Sequence, residues 1–108
     1  MAQNFRRYTS KSVGTSATSV YTANSYDTIV GISVANIGTS SVLADVIIND
    51  GSNDIYLVKQ APIPTGSQLQ ILDGGAKYVV QSGDVVKVLS DTASSLDVWI
   101  SAVDDISS

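Results

Sequence analysis

The chain contains no cysteine, no histidine and no glutamate, and only two prolines among its 108 residues. Without cysteine there are no disulfides, no thiolate metal ligands and no cysteine nucleophile. Without histidine the commonest general base near neutral pH and the commonest zinc ligand are gone as well. Asp, Lys, Tyr, Ser and Thr remain for chemistry, so neither an enzymatic activity nor a cofactor or metal is expected. No apolar run approaches the ~20 residues of a membrane helix. The opening "MAQNFRRYTSKS" carries charges with no apolar stretch of roughly 7–15 residues behind them, so a secretory signal is not expected either.

At 11.3 kDa the chain has the size of one domain, enough to bury roughly 65% of its unfolded surface in a single core. Apolar residues make up 44% of it, in short runs. The formal net charge is −4, unevenly distributed: Arg6, Arg7 and Lys11 are half of the six bases, and no acid precedes Asp27. All ten acids are aspartates. Aspartate favours turns and disfavours helix interiors, where glutamate would be at home, so the choice points to strands joined by tight turns.

The hydrophobic pattern agrees. Alternation with period two recurs between turn signals, and no helical period is visible. Strands are expected near 4–9, 17–22, 28–36, 41–49, 54–60, 67–72, 76–81, 84–90 and 95–103, which is an all-β fold: a single antiparallel sandwich of eight or nine short strands, jelly-roll or immunoglobulin-like, with no substantial helix. Residues 1–12 read as a basic arm or first strand and 13–108 as the sandwich domain. "NDGSND", "LDGGAK" and "QSGDVV" supply Gly where positive φ is wanted, and each reads as a hairpin. The last four strands then run up and down in succession. The links near Tyr21–Tyr26 and Gln60–Gly66 are left to cross between sheets.

Both prolines fall in "APIPTG", and Pro62 and Pro64 delete two backbone donors that would point to the same side of an extended segment. One side of it cannot pair, which places it at a sheet edge or a crossover. Parity assigns the core faces to Val30, Ile32 and Val34; to Val42, Ala44, Val46 and Ile48; to Val86 and Val88; and to Leu96, Val98, Ile100 and Ala102. Leu43, Asp45 and Ile47 then face outward on one strand, and Asp97, Trp99 and Ser101 on another. An outward tryptophan flanked by aliphatics on a neighbouring strand is a candidate contact surface.

Other motifs carry less. Asp50, Ser52 and Asp54 alternate around Gly51 as hard-cation ligands can, but they lack the bidentate glutamate and length of a calcium loop, and their residue types are those of a hairpin turn. Asp104 and Asp105 are adjacent on a strand and point to opposite faces, so they cannot flank one bond. No phosphate-binding glycine loop or serine nucleophile elbow occurs. "NFRRYTSKS" mixes bases with Phe5 and Tyr8; three cations on an acidic body give little counterion release, so nucleic acid is not the expected partner. An acidic protein neighbour fits better. The candidate subunit-contact residues are Phe5, Arg6, Arg7, Tyr8, Leu43, Ile47 and Trp99.

Three stretches, "NFRRYTSKSVGTSATSVYTA", "TIVGISVANIGTSSVLADVIIND" and "DIYLVKQAPIPTGSQLQILDGGAKYVVQSGDVVKVLSDTASSLDVWISAVD", together resemble a family of small virion structural proteins of tailed phages, particularly those of marine cyanobacteria. The most specific portion runs from "APIPTG" through "LDGGAK" to "SDTASSLDV". The resemblance implies a non-enzymatic β-sandwich present in many copies on the particle, as head decoration or cement, neck, tail or fibre attachment. Its implied partners are other virion proteins, major capsid or neck and tail subunits, and further copies of itself, with no nucleic acid and no membrane; its location would be the virion, after synthesis in the host cytoplasm. A host-surface or carbohydrate-binding sandwich module is the alternative.

Overall fold

A computed structural model describes residues 4–23, 27–71 and 78–104, the side chains of 4, 5 and 104 excepted. These residues form nine strands: β1 (Asn4–Val13), β2 (Thr18–Thr22), β3 (Asp27–Asn36), β4 (Val42–Asn49), β5 (Asp54–Ile63), β6 (Gln68–Gln70), β7 (Tyr78–Val80), β8 (Val85–Ser90) and β9 (Leu96–Asp104). They lie in two antiparallel sheets. Sheet A has the order β1-β9-β3-β6, with β7 also on β3; sheet B has the order β2-β8-β4-β5. β6 pairs with Ser33–Ala35 and β7 with Asp27–Ile29, so the two short strands continue one another along a single edge of β3. Counted as one interrupted strand, they complete the alternation between sheets that defines a jelly roll and separates it from an immunoglobulin-like sandwich.

The turns do not all make hairpins. "NDGSND" does, joining β4 to β5. "QSGDVV" instead takes the chain from sheet A to sheet B. Gly83 holds φ +94 there, and the turn is pinned to the end of β2 by reciprocal bonds, Gly83 N–H to Ala23 O and Ala23 N–H to Asp84 O, both 2.8 Å. A Ser-Gly turn encodes a local reversal, and its pairing partner is chosen by distant strands. The expected up-and-down run from Ser67 to Val103 is therefore replaced by repeated switching of sheets. "LDGGAK" lies outside the described residues.

The core fills the space between the sheets, where Ile32, Val34, Val98 and Ile100 of sheet A face Val46, Val86 and Val88 of sheet B. Parity holds on β9 and β8 but is reset on β3. Opposite Ala102 and Ser101 stand Ile29 and Gly31, so Val30 is an extra residue, a β-bulge. Ile29 is buried before it and Ile32 after it, while Val30, expected inside, is 39% exposed. On β4, Val42, Ala44 and Val46 are buried as expected, and Ile48 is half-buried against the core. Ile47 also proves buried, at 3% exposure, although its side chain belongs to the outer face. Its cross-strand neighbours are Tyr56 and Lys87.

β5 runs to Ile63 and is an edge strand, with Pro62 opposite Leu43. Two register shifts break it, one of them beside Gln60 at φ 52, whose amide donates to Asp45 Oδ1 at 2.6 Å. Pro64 opens a turn to Ser67 in which Gly66, at φ +76, sits where a type II turn requires positive φ. The prolines thus stand at an edge followed by a crossover. Replacing Pro62 and Pro64 together by threonine restores donors on the exposed side and should raise self-association through strand addition. Light scattering at rising concentration checks this, and a variant as monodisperse as the parent would assign the prolines to corner geometry alone.

Candidate functional site

On β9 the inward run Leu96, Val98, Ile100 and Ala102 leaves Asp97, Trp99 and Ser101 on the outer face of sheet A. Register sets what surrounds the tryptophan. Thr9 of β1 and Ser33 of β3 lie directly opposite it, and Gln70 of β6 lies opposite Ser33. One step along, Asp97, Ala35 and Gln68 form a second row. Small residues beside a large ring leave it standing clear of the sheet, and Trp99 is 51% exposed. The result is a shallow groove of about 760 Å³ along Arg7, Thr9, Lys11, Ser33, Asp97 and Trp99.

The groove's polar groups are held in place. The Arg7 guanidinium lies 5.5 Å from the Trp99 ring centroid, a cation–π contact worth roughly 0.5–1 kcal/mol at an exposed site. Ser33 Oγ donates to Gln68 Oε1, which also accepts from Gln70 Nε2 at 3.3 Å. Asp97 Oδ1 accepts from the Ser12 amide at 2.9 Å, bracing β1 where its register shifts and Ser12 takes φ 55. The face combines one aromatic plate, the cations Arg7 and Lys11, the Asp97 carboxylate and several hydroxyl and amide groups.

The sequence-predicted residues separate into three places. Arg7 and Trp99 meet in the groove. Leu43, 37% exposed, lies with Ile47 on the outer face of sheet B, so these aliphatics do not flank Trp99 as expected; β4 and β9 belong to opposite layers. Ile47, at 3% exposure, is not offered to a neighbour. Tyr8 turns inward, its ring 4.2 Å from that of Tyr21, joining the two sheets across the core instead of presenting itself for contact. Tyr21 in turn donates its hydroxyl to the buried Asp27 carboxylate. Arg6 is exposed, and the Phe5 side chain lies outside the described residues. Thr9, Ser33, Gln68 and Gln70 were not singled out from the sequence. Parity on β3 puts Ser33 and Ala35 outward, but only the register brings them to Trp99.

The aspartates do structural work. Asp45, Asp84, Asp91 and Asp97 accept from the amides of Gln60, Gln81, Leu43 and Ser12. Asp50 accepts from Asn53 at 2.8 Å and Ser52 at 3.0 Å, and these bonds hold its carboxyl below the usual carboxylate range. Asp54 accepts from Asn49 Nδ2 at 2.6 Å and lies 3.6 Å from Lys87 Nζ. One carboxylate oxygen of Asp50 and one of Asp54 are thus engaged within or beside the hairpin. Because Asp50's pKa is lowered on folding, its contribution is present above the unfolded value and is lost as pH falls through the folded one.

No protein-family model matches the chain, and neither does any curated protein. Among solved structures it is similar to a chain from the "Acidic stable capsid structure of Helicobacter pylori bacteriophage KHP30", over 95% of this chain and 87% of that one, with a TM-score of 0.62 and 13% identity. At that identity the likeness is one of fold.

Proposed function

We propose that this chain is a non-enzymatic structural component of a tailed-phage virion, a head decoration or cement protein or a neck or tail accessory protein, seated on neighbouring subunits through the outer face of sheet A. The observation that carries the reading is the likeness in fold, over nearly the whole length of both chains, to a phage capsid chain. The groove at Trp99 supplies the surface. Exposed aromatics anchor protein interfaces, where truncation to alanine can cost 2 kcal/mol or more. The engagement of Asp27, Asp45, Asp50, Asp54, Asp84, Asp91 and Asp97 as hydrogen-bond acceptors from backbone amides, a side-chain amide or a hydroxyl supports a non-catalytic role.

Competition for incorporation into assembling particles tests it. Trp99→Ala should be under-represented against the parent by about tenfold or more, in low and high salt alike, while Arg7→Glu should slow incorporation mainly at low salt. Melts of the free variants serve as control: with its ring half-exposed, Trp99→Ala should shift the melting temperature by only a few degrees. Equal incorporation of both variants removes this face from the contact surface.

A second reading has its own support. A tryptophan flanked by Thr9, Ser33, Gln68 and Gln70 is also what a sugar ring stacks on and bonds to. Glycan-array binding by a monomeric chain, abolished in Trp99→Ala, would favour a carbohydrate-binding module over the virion role.

A further inference from the structure

The sandwich has four edges, and they are not equally closed. β5 carries Pro62 and two register shifts. β2 has five residues with a shift between Ser19 and Tyr21. The edge opposite β1 in sheet A is split into β6 and β7, three residues each. β1 is different. From Asn4 to Ser10 it runs in unbroken register on β9, with no described strand on its other side and no proline, glycine or bulge. A long regular edge presents a row of backbone donors and acceptors that accepts another strand.

The charges on β1 decide which strand. Arg6, Arg7 and Lys11 lie along it in a chain of net charge −4. Pairing with β1 of a second copy sets these bases against one another in most registers, which costs free energy, and the second copy's other three edges are blunted as just described. An extended segment rich in acidic residues meets the opposite situation, gaining both the backbone ladder and the charge pairing. We infer that the free edge of β1 is a docking site for an acidic extended segment of a neighbouring protein, added as a further strand to sheet A. It rests on the assembly reading only in taking the neighbour to be a virion protein.

The test uses the isotope-labelled full chain titrated to millimolar with a short capped peptide alternating aspartate and valine, and with its lysine–valine counterpart. The acidic peptide should shift β1 and β9 amide resonances, slow hydrogen exchange along β1, bind about tenfold or more tighter than the lysine peptide, and weaken with salt. Arg6→Glu with Arg7→Glu should weaken it by about tenfold or more. Adjacent N–H groups on a strand point to opposite sides, so of Thr9→Pro and Ser10→Pro one keeps the ladder to β9 and blocks the free edge; that folded variant should lose the peptide. No response of β1 at millimolar peptide, equal binding of both peptides, or shifts centred on β5 or on the Trp99 groove would overturn the proposal. Peptide binding at β1 by a protein that no particle incorporates would instead sink the virion reading and leave the docking site standing.

Discussion

Ile32→Asp should give no folded protein, whereas Val30→Asp, on the same strand and nominally the same face, should fold and melt close to the parent. Ile32 is fully buried between the sheets and packs in the central cluster. A carboxylate there has no partner, and an uncompensated buried charge costs several kcal/mol, a large part of a total stability of roughly 5–15 kcal/mol. Val30 is the bulged residue, 39% exposed, so its carboxylate reaches water and the change should stay within about 1 kcal/mol. Soluble yield, circular dichroism and thermal melts of the two variants make the comparison. If both unfold, β3 has no bulge at Val30 and its alternation is continuous from Thr28 to Val34.

This contrast marks how far the sequence could be read. All nine strands were legible, because alternation and turn chemistry act over a few residues and survive any arrangement of the strands. On β9 the alternation runs unbroken from Leu96 to Ala102, and the outward placing of Trp99 followed directly from it. On β3 a single extra residue reverses inside and outside, and valine is an ordinary strand former that gives no sign of a bulge. Strand pairing was out of reach for a different reason. "QSGDVV" carries the local information for a reversal, but whether the chain folds back beside β7 or crosses to lie beside β2 goes with the bonds Gly83 and Asp84 make with Ala23, sixty or so residues away in sequence. The company of Trp99 suffers likewise: Thr9, Ser33 and Gln70 come from three strands whose register only the assembled sheet defines.

The acid composition was more informative than it first looks. Aspartate in place of glutamate signalled turns, and the structure explains the preference residue by residue. Asp45, Asp50, Asp84, Asp91 and Asp97 each reach a backbone amide at a turn, bulge or loop. The short side chain suits this work, since one methylene sets the carboxylate at the distance of nearby main chain.

The buried amide of Asn36 should prove nearly as sensitive as the core. It ends β3, is 3% exposed, and holds three segments together: Nδ2 donates to the carbonyls of Ser40 and Ile63, both at 2.9 Å, and Oδ1 accepts from the Gly38 amide at 2.8 Å. It thus ties the end of a sheet A strand to the end of β5 in sheet B and to the loop between β3 and β4. Asn36→Ala removes the side-chain partner of the Gly38 amide and the Ser40 carbonyl and one of the two donors to the Ile63 carbonyl, and at roughly 1–3 kcal/mol for each orphaned group the loss should be about 2 kcal/mol or more. Asn36→Asp is the sharper probe, because it keeps the acceptor for Gly38 and puts a second carboxylate oxygen where the two carbonyls need a donor. Ionised, it should be less stable than the alanine variant at pH 7. Protonated, it recovers one donor, so its folded pKa must lie above the ordinary value of about 3.9. A raised folded pKa means that the native state holds its proton longer than the unfolded chain, and stability falls as pH rises through the interval between the two values. Relative to the parent, Asn36→Asp should therefore gain melting temperature from pH 7 down to pH 4. A difference from the parent that is independent of pH would mean that the side chain at 36 does not face the carbonyls of Ser40 and Ile63, and that the two sheets are joined at this end by packing alone.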